Sequence, residues 1–288
     1  MRSLPGRMAI LVICLVVLVG TLFAGGWVLR RLLSTEEPVI EPPPAAQGCI
    51  ATSNGQSASL TPEQSKWASI IVAESIRRNL PARAATIALA TAMQESSLRN
   101  IDYGDRDSVG LFQQRPSQDW GTVDQIMDPW YSSGKFYDAL VKVDGWQTGD
   151  INDVAQKVQR SGVPDGYRKH VENAKVWASA LTGHSPTGWT CVSREQTAES
   201  RETLTQVLTK GLAGKVTVAQ NAGSWTITAK DATTAWAAAS LSMANLRDAK
   251  VVGVQVGSSA WAHDPKKVAA WTTTTPGAAG ATAVVLSF

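Results

Sequence analysis

Residues 8–29 carry no charged side chain and are dominated by Leu, Val, Ile, Ala and Gly. At ~1.5 Å of rise per residue, ~20 such residues span the hydrocarbon core of a bilayer as one helix. The stretch has no polar face, which argues against an ordinary helix half-buried in a soluble core. The expectation is therefore a membrane anchor over residues 1–31, crossing through residues 8–29. A secretory signal cut near Ala24-Gly25-Gly26 is the alternative. Arg2 and Arg7 flank one side and Arg30 and Arg31 the other, so positive charge alone does not orient the segment.

Cysteine usage orients it. Cys14 lies inside the apolar run, which leaves Cys49 and Cys191. A bond between these two would close a loop worth ~4–5 kcal/mol in the chain-entropy model. Such bonds persist mainly outside the cytoplasm. The expectation is a single-pass cell-membrane protein with its N-terminus cytoplasmic and the rest of the chain extracytoplasmic.

Beyond the anchor the pattern changes several times. Residues 32–60 read as an extended linker, with Pro38, Pro42, Pro43 and Pro44 at its start and no apolar period later. A domain then opens at Thr61-Pro62-Glu63-Gln64, which places an N-cap residue, a first-turn proline and a Gln at the third helical position. Apolar spacing predicts helices after Thr61, from about 81 to 94, and at 134–143, 150–160 and 164–181, with a loop-rich stretch over 101–135. Residues 61–183 thus read as a mainly α domain. Residues 184–195 read as a hinge. Residues 196–288 combine helical stretches with alternating strand-like ones, such as 215–219 and 225–228, and read as a small α+β domain that could meet a protein partner.

The chemistry concentrates in two short segments. One is Ala92-Met93-Gln94-Glu95-Ser96, at the end of an Ala-rich helix. The other is Gly110-Leu111-Phe112-Gln113, after a polar loop. At this spacing the pair resembles the lysozyme-like superfamily and, within it, the lytic transglycosylases. In that family a Glu-Ser pair at a helix end faces a Gly-Leu-Met-Gln turn, here with Phe112 in the Met position. A third family motif, Ala-Tyr-Asn-Ala-Gly followed by a Tyr, has its nearest counterpart in Val158-Gln159-Arg160-Ser161-Gly162 and Tyr167; Gln159 and Arg160 replace its Tyr and Asn. The resemblance covers about 61–181. It implies a lysozyme-like fold and cleavage of the muramyl-glucosaminyl bond of peptidoglycan glycan strands. Glu95 would be the catalytic acid, with Ser96, Gln113, Gln159 and Tyr167 at the substrate. It implies no cofactor.

Elementary acid–base chemistry reaches the same residue. Glycoside cleavage needs a carboxylic acid still protonated near neutral pH. An ordinary glutamate, with pKa ~4.3, is ionised there. Glu95 follows Ala90, Ala92 and Met93, so an apolar wall can hold its carboxyl and raise that value.

A lysozyme-type hydrolase would need a second carboxylate to activate water. Asp102, Asp105 and Asp107 stand in the connecting loop, with Asp105 and Asp107 the better placed. A non-catalytic wall-binding or assembly module of an envelope secretion or conjugation complex is a further alternative. Eleven Trp residues supply candidate sugar platforms, among them Trp120, Trp130 and Trp146, with Tyr131 and Tyr137 nearby.

Other chemistries find no footing. His170, His184 and His263 lack metal-ligand spacing. Asp105-Arg106-Asp107 sets a cation between two acids and lacks the calcium-loop pattern. The net charge of +3, spread along the chain, points to no nucleic acid.

Overall fold

A computed structural model describes residues 47–194, 200–275 and 280–288. The first element is a hairpin, β1 (Gly48–Ser53) and β2 (Gln56–Leu60). Its turn is Asn54-Gly55, both with positive φ, 50° and 75°. Two central residues in that conformation match the twist of paired strands, and Asn-Gly is the dipeptide that adopts it most readily. The second part of the expected linker is therefore sheet. Composition suggested otherwise because β2 buries only Ala58 and Leu60, too short an alternation to register.

Helix α1 (Pro62–Arg77) starts where Thr61 and Gln64 form a reciprocal capping box. Helix α2 (Ala82–Ser96) is buried throughout from Ala84 to Ala92, which its small side chains allow. Next come α3 (Val123–Met127) and α4 (Pro129–Leu140), the latter capped by the Asp128 carboxylate on the Trp130 and Tyr131 amides. The start of α4 thus lies earlier than apolar spacing indicates, because Asp128-Pro129 supplies a cap and a first-turn proline. Helices α5 (Ile151–Gln159) and α6 (Val171–Leu181) follow.

Strand β3 (Trp189–Val192) then returns to pair with β1, giving the sheet order β2-β1-β3. Cys49 faces Cys191 across that pairing and the two are bonded, 142 residues apart in sequence. Residues 189–192 of the expected hinge are thus a strand of a disulfide-clamped sheet.

The remaining chain forms α7 (Glu202–Gln206), extended by a wider turn over Val207–Gly211, then α8 (Ala232–Ala244) and α9 (Leu246–Ala249). Strands β4 (Val216–Gln220), β5 (Ser224–Ala229), β6 (Gly253–Val256), β7 (Ser259–Ala262), β8 (Thr272–Thr273) and β9 (Ala283–Ser287) build an antiparallel sheet ordered β4-β5-β9-β6-β7-β8.

Two corrections follow. The expected fold class, a mainly α domain with a separate α+β domain behind a membrane helix, is not what the structure shows. The described residues form one unit in which helices and two antiparallel sheets share a continuous core. Helix α1 is covered by the C-terminal part: Asn245 bonds Ser69, Lys66 pairs with Asp248, and Gly211 lies so close that a Cβ there would sit 2.5 Å from that of Ala73. The single-pass anchor and the localisation built on it are likewise unsupported. Among the described residues no helix is long and apolar enough to cross a membrane, and residues 8–29 lie outside the described residues.

Candidate functional site

Helix α2 delivers Glu95 one residue before its end. The helix stops because Ser97 and Leu98 turn left-handed, with φ of 55° and 54°. The Ser96 hydroxyl then ties this end to the next motif. It donates to the Leu111 carbonyl at 2.8 Å and accepts from the Arg99 amide at 3.2 Å. Expected at the substrate, Ser96 is instead a buried clamp between the helix and the Gly110–Gln113 turn. One short hydroxyl ties the two segments there without needing space.

The turn has its own foundations. Val109 and Gln114 pair across it, Gly110 sits at φ 79°, and Gln113 sits at φ 48°. Leu111 and Phe112 are fully buried, and Phe112 stacks on Phe136 with centroids 4.7 Å apart. The Phe of the motif is thus a core anchor that holds Gln113 at the surface of the cleft. Gln113 donates to the Tyr103 and Gly110 carbonyls at 3.2 and 3.3 Å. Only glycine fits at 104, since a Cβ would overlap the Gln113 amide oxygen and approach the Ser108 carbonyl to 2.7 Å.

The Glu95 carboxyl has two partners from beyond residue 150. The Tyr167 hydroxyl, on a fully buried ring, donates to Oε1 at 2.6 Å. Gln159, at the end of α5, donates to the Phe112 carbonyl at 2.8 Å and also bonds the carboxylate. Burial pushes the Glu95 pKa above the ordinary glutamate value, and the bonds from Tyr167 and Gln159 only partly oppose it. The Tyr167 hydroxyl is itself driven above the usual phenol range, first by burial and then by the neighbouring carboxylate, so it remains a donor.

Glu95 opens into a cleft of about 550 Å³, whose lining includes Asp105, Arg106, Gln113, Trp120 and Gln159. Of the aromatic residues singled out from sequence, Trp120 lines this cleft. Tyr137 and Trp146 are buried in the core, and Trp130 is buried with its indole bonded to Gln206. Tyr131 lies against Gly121 and under the Lys135 ammonium.

The three loop acids separate. Asp107 accepts from the Arg115 guanidinium at 2.7 Å and from the Ser117 amide at 2.8 Å, which holds it far below the usual carboxylate range. It braces the loop. Asp105 lines the cleft with Glu95, its side chain 91% exposed. Asp102 is exposed.

Sequence reasoning missed Arg106, Gln118 and Arg160 in the lining. The one available signal was at Arg160, which stands in the third motif where the family has Asn; in the structure it ends α5 in the left-handed region at φ 54°. No family model and no curated protein matches the chain.

Proposed function

We propose that the protein cleaves peptidoglycan glycan strands at the muramyl-glucosaminyl bond, with Glu95 as the single catalytic carboxyl of a lytic transglycosylase-type reaction. The observation that carries this reading is a desolvated glutamate, bonded by a buried tyrosine, opening into a polar cleft with a tryptophan on its wall. A carboxyl whose burial favours the protonated form can give its proton to the glycosidic oxygen as the bond breaks. The resulting carboxylate can then take the proton of the sugar's own C6 hydroxyl, which closes a 1,6-anhydro ring with no water consumed. Tyr167 steadies that carboxylate, and Gln159 links it to the Phe112 carbonyl.

The hydrolase alternative requires a second carboxylate that activates water. Asp107 is committed to Arg115 and is too weak a base for that step. Asp105 is left, as a solvated side chain on the same cleft.

Mass spectrometry of muropeptides released by the full chain separates the readings. Anhydro products, absent with Glu95→Gln, are expected. Products heavier by one water would assign a hydrolase. Wall binding without any new end would leave a binding module and remove the enzymatic reading.

A further inference from the structure

The cleft at Glu95 adjoins a second groove. Trp120, Gln118, Gln159 and Arg160 line the cleft and also line this groove of about 840 Å³. The two are therefore neighbours, with these side chains as their common border. Their chemistry differs. The second groove holds Lys135, Lys142, Lys157 and Arg160 against the carboxylates of Asp119 and Asp138. Asp138 is already bonded to Arg78 at 2.7 Å on its other side. Among the described residues Lys142, Lys157 and Arg160 form no ion pair, and all three are exposed. A concave wall in which cations outnumber anions raises the local concentration of anions. A neutral sugar strand needs no such wall.

We infer that this lysine-lined groove binds an anionic substituent carried by the substrate strand, a carboxylate or phosphate branch that leaves the glycan next to the bond held at Glu95. The inference rests on the proposed reaction for the identity of the strand. Trp120, at the junction, would support the sugar ring from which the branch departs, and Arg160 faces both spaces. Peptide stems and phosphodiester polymers both carry the required charge. They share one recognition chemistry and differ in how they are removed from the strand.

The test is a binding measurement, so it can be read even if no bond is cleaved. The full chain is titrated with solubilised glycan strands in three forms: complete, stripped of stems by an amidase, and stripped of phosphodiester polymers by hydrofluoric acid. The expected result is that Lys142→Glu with Lys157→Glu weakens binding of complete strands at least tenfold, and that binding of complete strands falls steeply with added salt. The same charge change at Lys230 and Lys266, away from the groove, should leave affinity within twofold. Loss of the salt dependence after amidase treatment assigns the stem; loss after hydrofluoric acid assigns the polymer. Equal affinity of the groove variant and the parent, or salt dependence that survives both treatments, overturns the inference. Failure of the proposed reaction shows separately, as intact strands after incubation.

Discussion

At the residue scale the site turns on how water is kept from one carboxyl. Glu95 is raised because burial outweighs two hydrogen bonds. This has a consequence for stability. A carboxyl with a raised folded-state pKa binds more protons folded than unfolded above the ordinary glutamate range. Its contribution is therefore full at low pH and is lost as pH rises through the raised value, at ~1.4 kcal/mol for each tenfold gain in proton affinity on folding. Glu95→Gln removes that loss. The variant should match the parent in thermal stability near pH ~3, below the ordinary glutamate pKa, and exceed it at neutral pH, while glycan cleavage falls by ~10²–10⁴-fold, the range for losing a general acid. A stability difference that does not change with pH would contradict the desolvated state of the carboxyl.

Tyr167 supplies a second test. Its hydroxyl favours the ionised carboxylate, so Tyr167→Phe should raise the Glu95 pKa further. The alkaline limb of the activity profile should then move to higher pH, with lower maximal rate because the carboxylate formed during the reaction loses its donor. A limb that stays in place would mean that Tyr167 serves packing alone.

At the element scale, a helix end and a turn are joined by one hydroxyl, and a hairpin is joined to a returning strand by one covalent bond. Ser96 and Leu111 make the first joint. Ser96→Ala removes it without adding bulk. It should cost about 1–3 kcal/mol, the usual range when a buried acceptor loses its donor, and should lower the rate of cleavage more than the affinity for the strand.

Cys49 and Cys191 make the second joint. Closing so long a loop should stabilise the fold by ~4–5 kcal/mol in the chain-entropy model. Denaturant titration of the Cys49→Ser, Cys191→Ser double variant checks this. A change under ~1 kcal/mol would mean that the β1-β3 pairing holds without the bond. Much of this scale was legible in sequence. Thr61-Pro62-Glu63-Gln64 announces α1 through its caps, and the disulfide follows from eliminating Cys14. The hairpin was hidden because Asn54-Gly55 joins strands with almost no apolar alternation, and β3 was hidden because a strand of four residues resembles a loop.

At the scale of the whole molecule, the described part of the chain after residue 200 packs on α1 and α4. Trp130 of α4 bonds Gln206, and Ser69 of α1 accepts from Asn245. A fragment limited to residues 61–183 would expose the apolar face of α1 and lose every strand of the three-stranded sheet. Circular dichroism should show no cooperative thermal transition for that fragment, in contrast to residues 47–288. A fragment that melts sharply would show that the helical part folds alone.

Local sequence was enough to read the cap of α1, the Ala-rich helix α2, the paired cysteines and the position of Glu95 at a helix end, because each depends on neighbours within a few residues or on simple elimination. Long-range packing settled which side chains meet that carboxyl. Tyr167 reaches it from 72 residues away, Trp120 rather than Trp130 faces the cleft, and Asp107 is claimed by Arg115. Desolvation sums over everything packed around a group, and no local pattern in a chain records that sum.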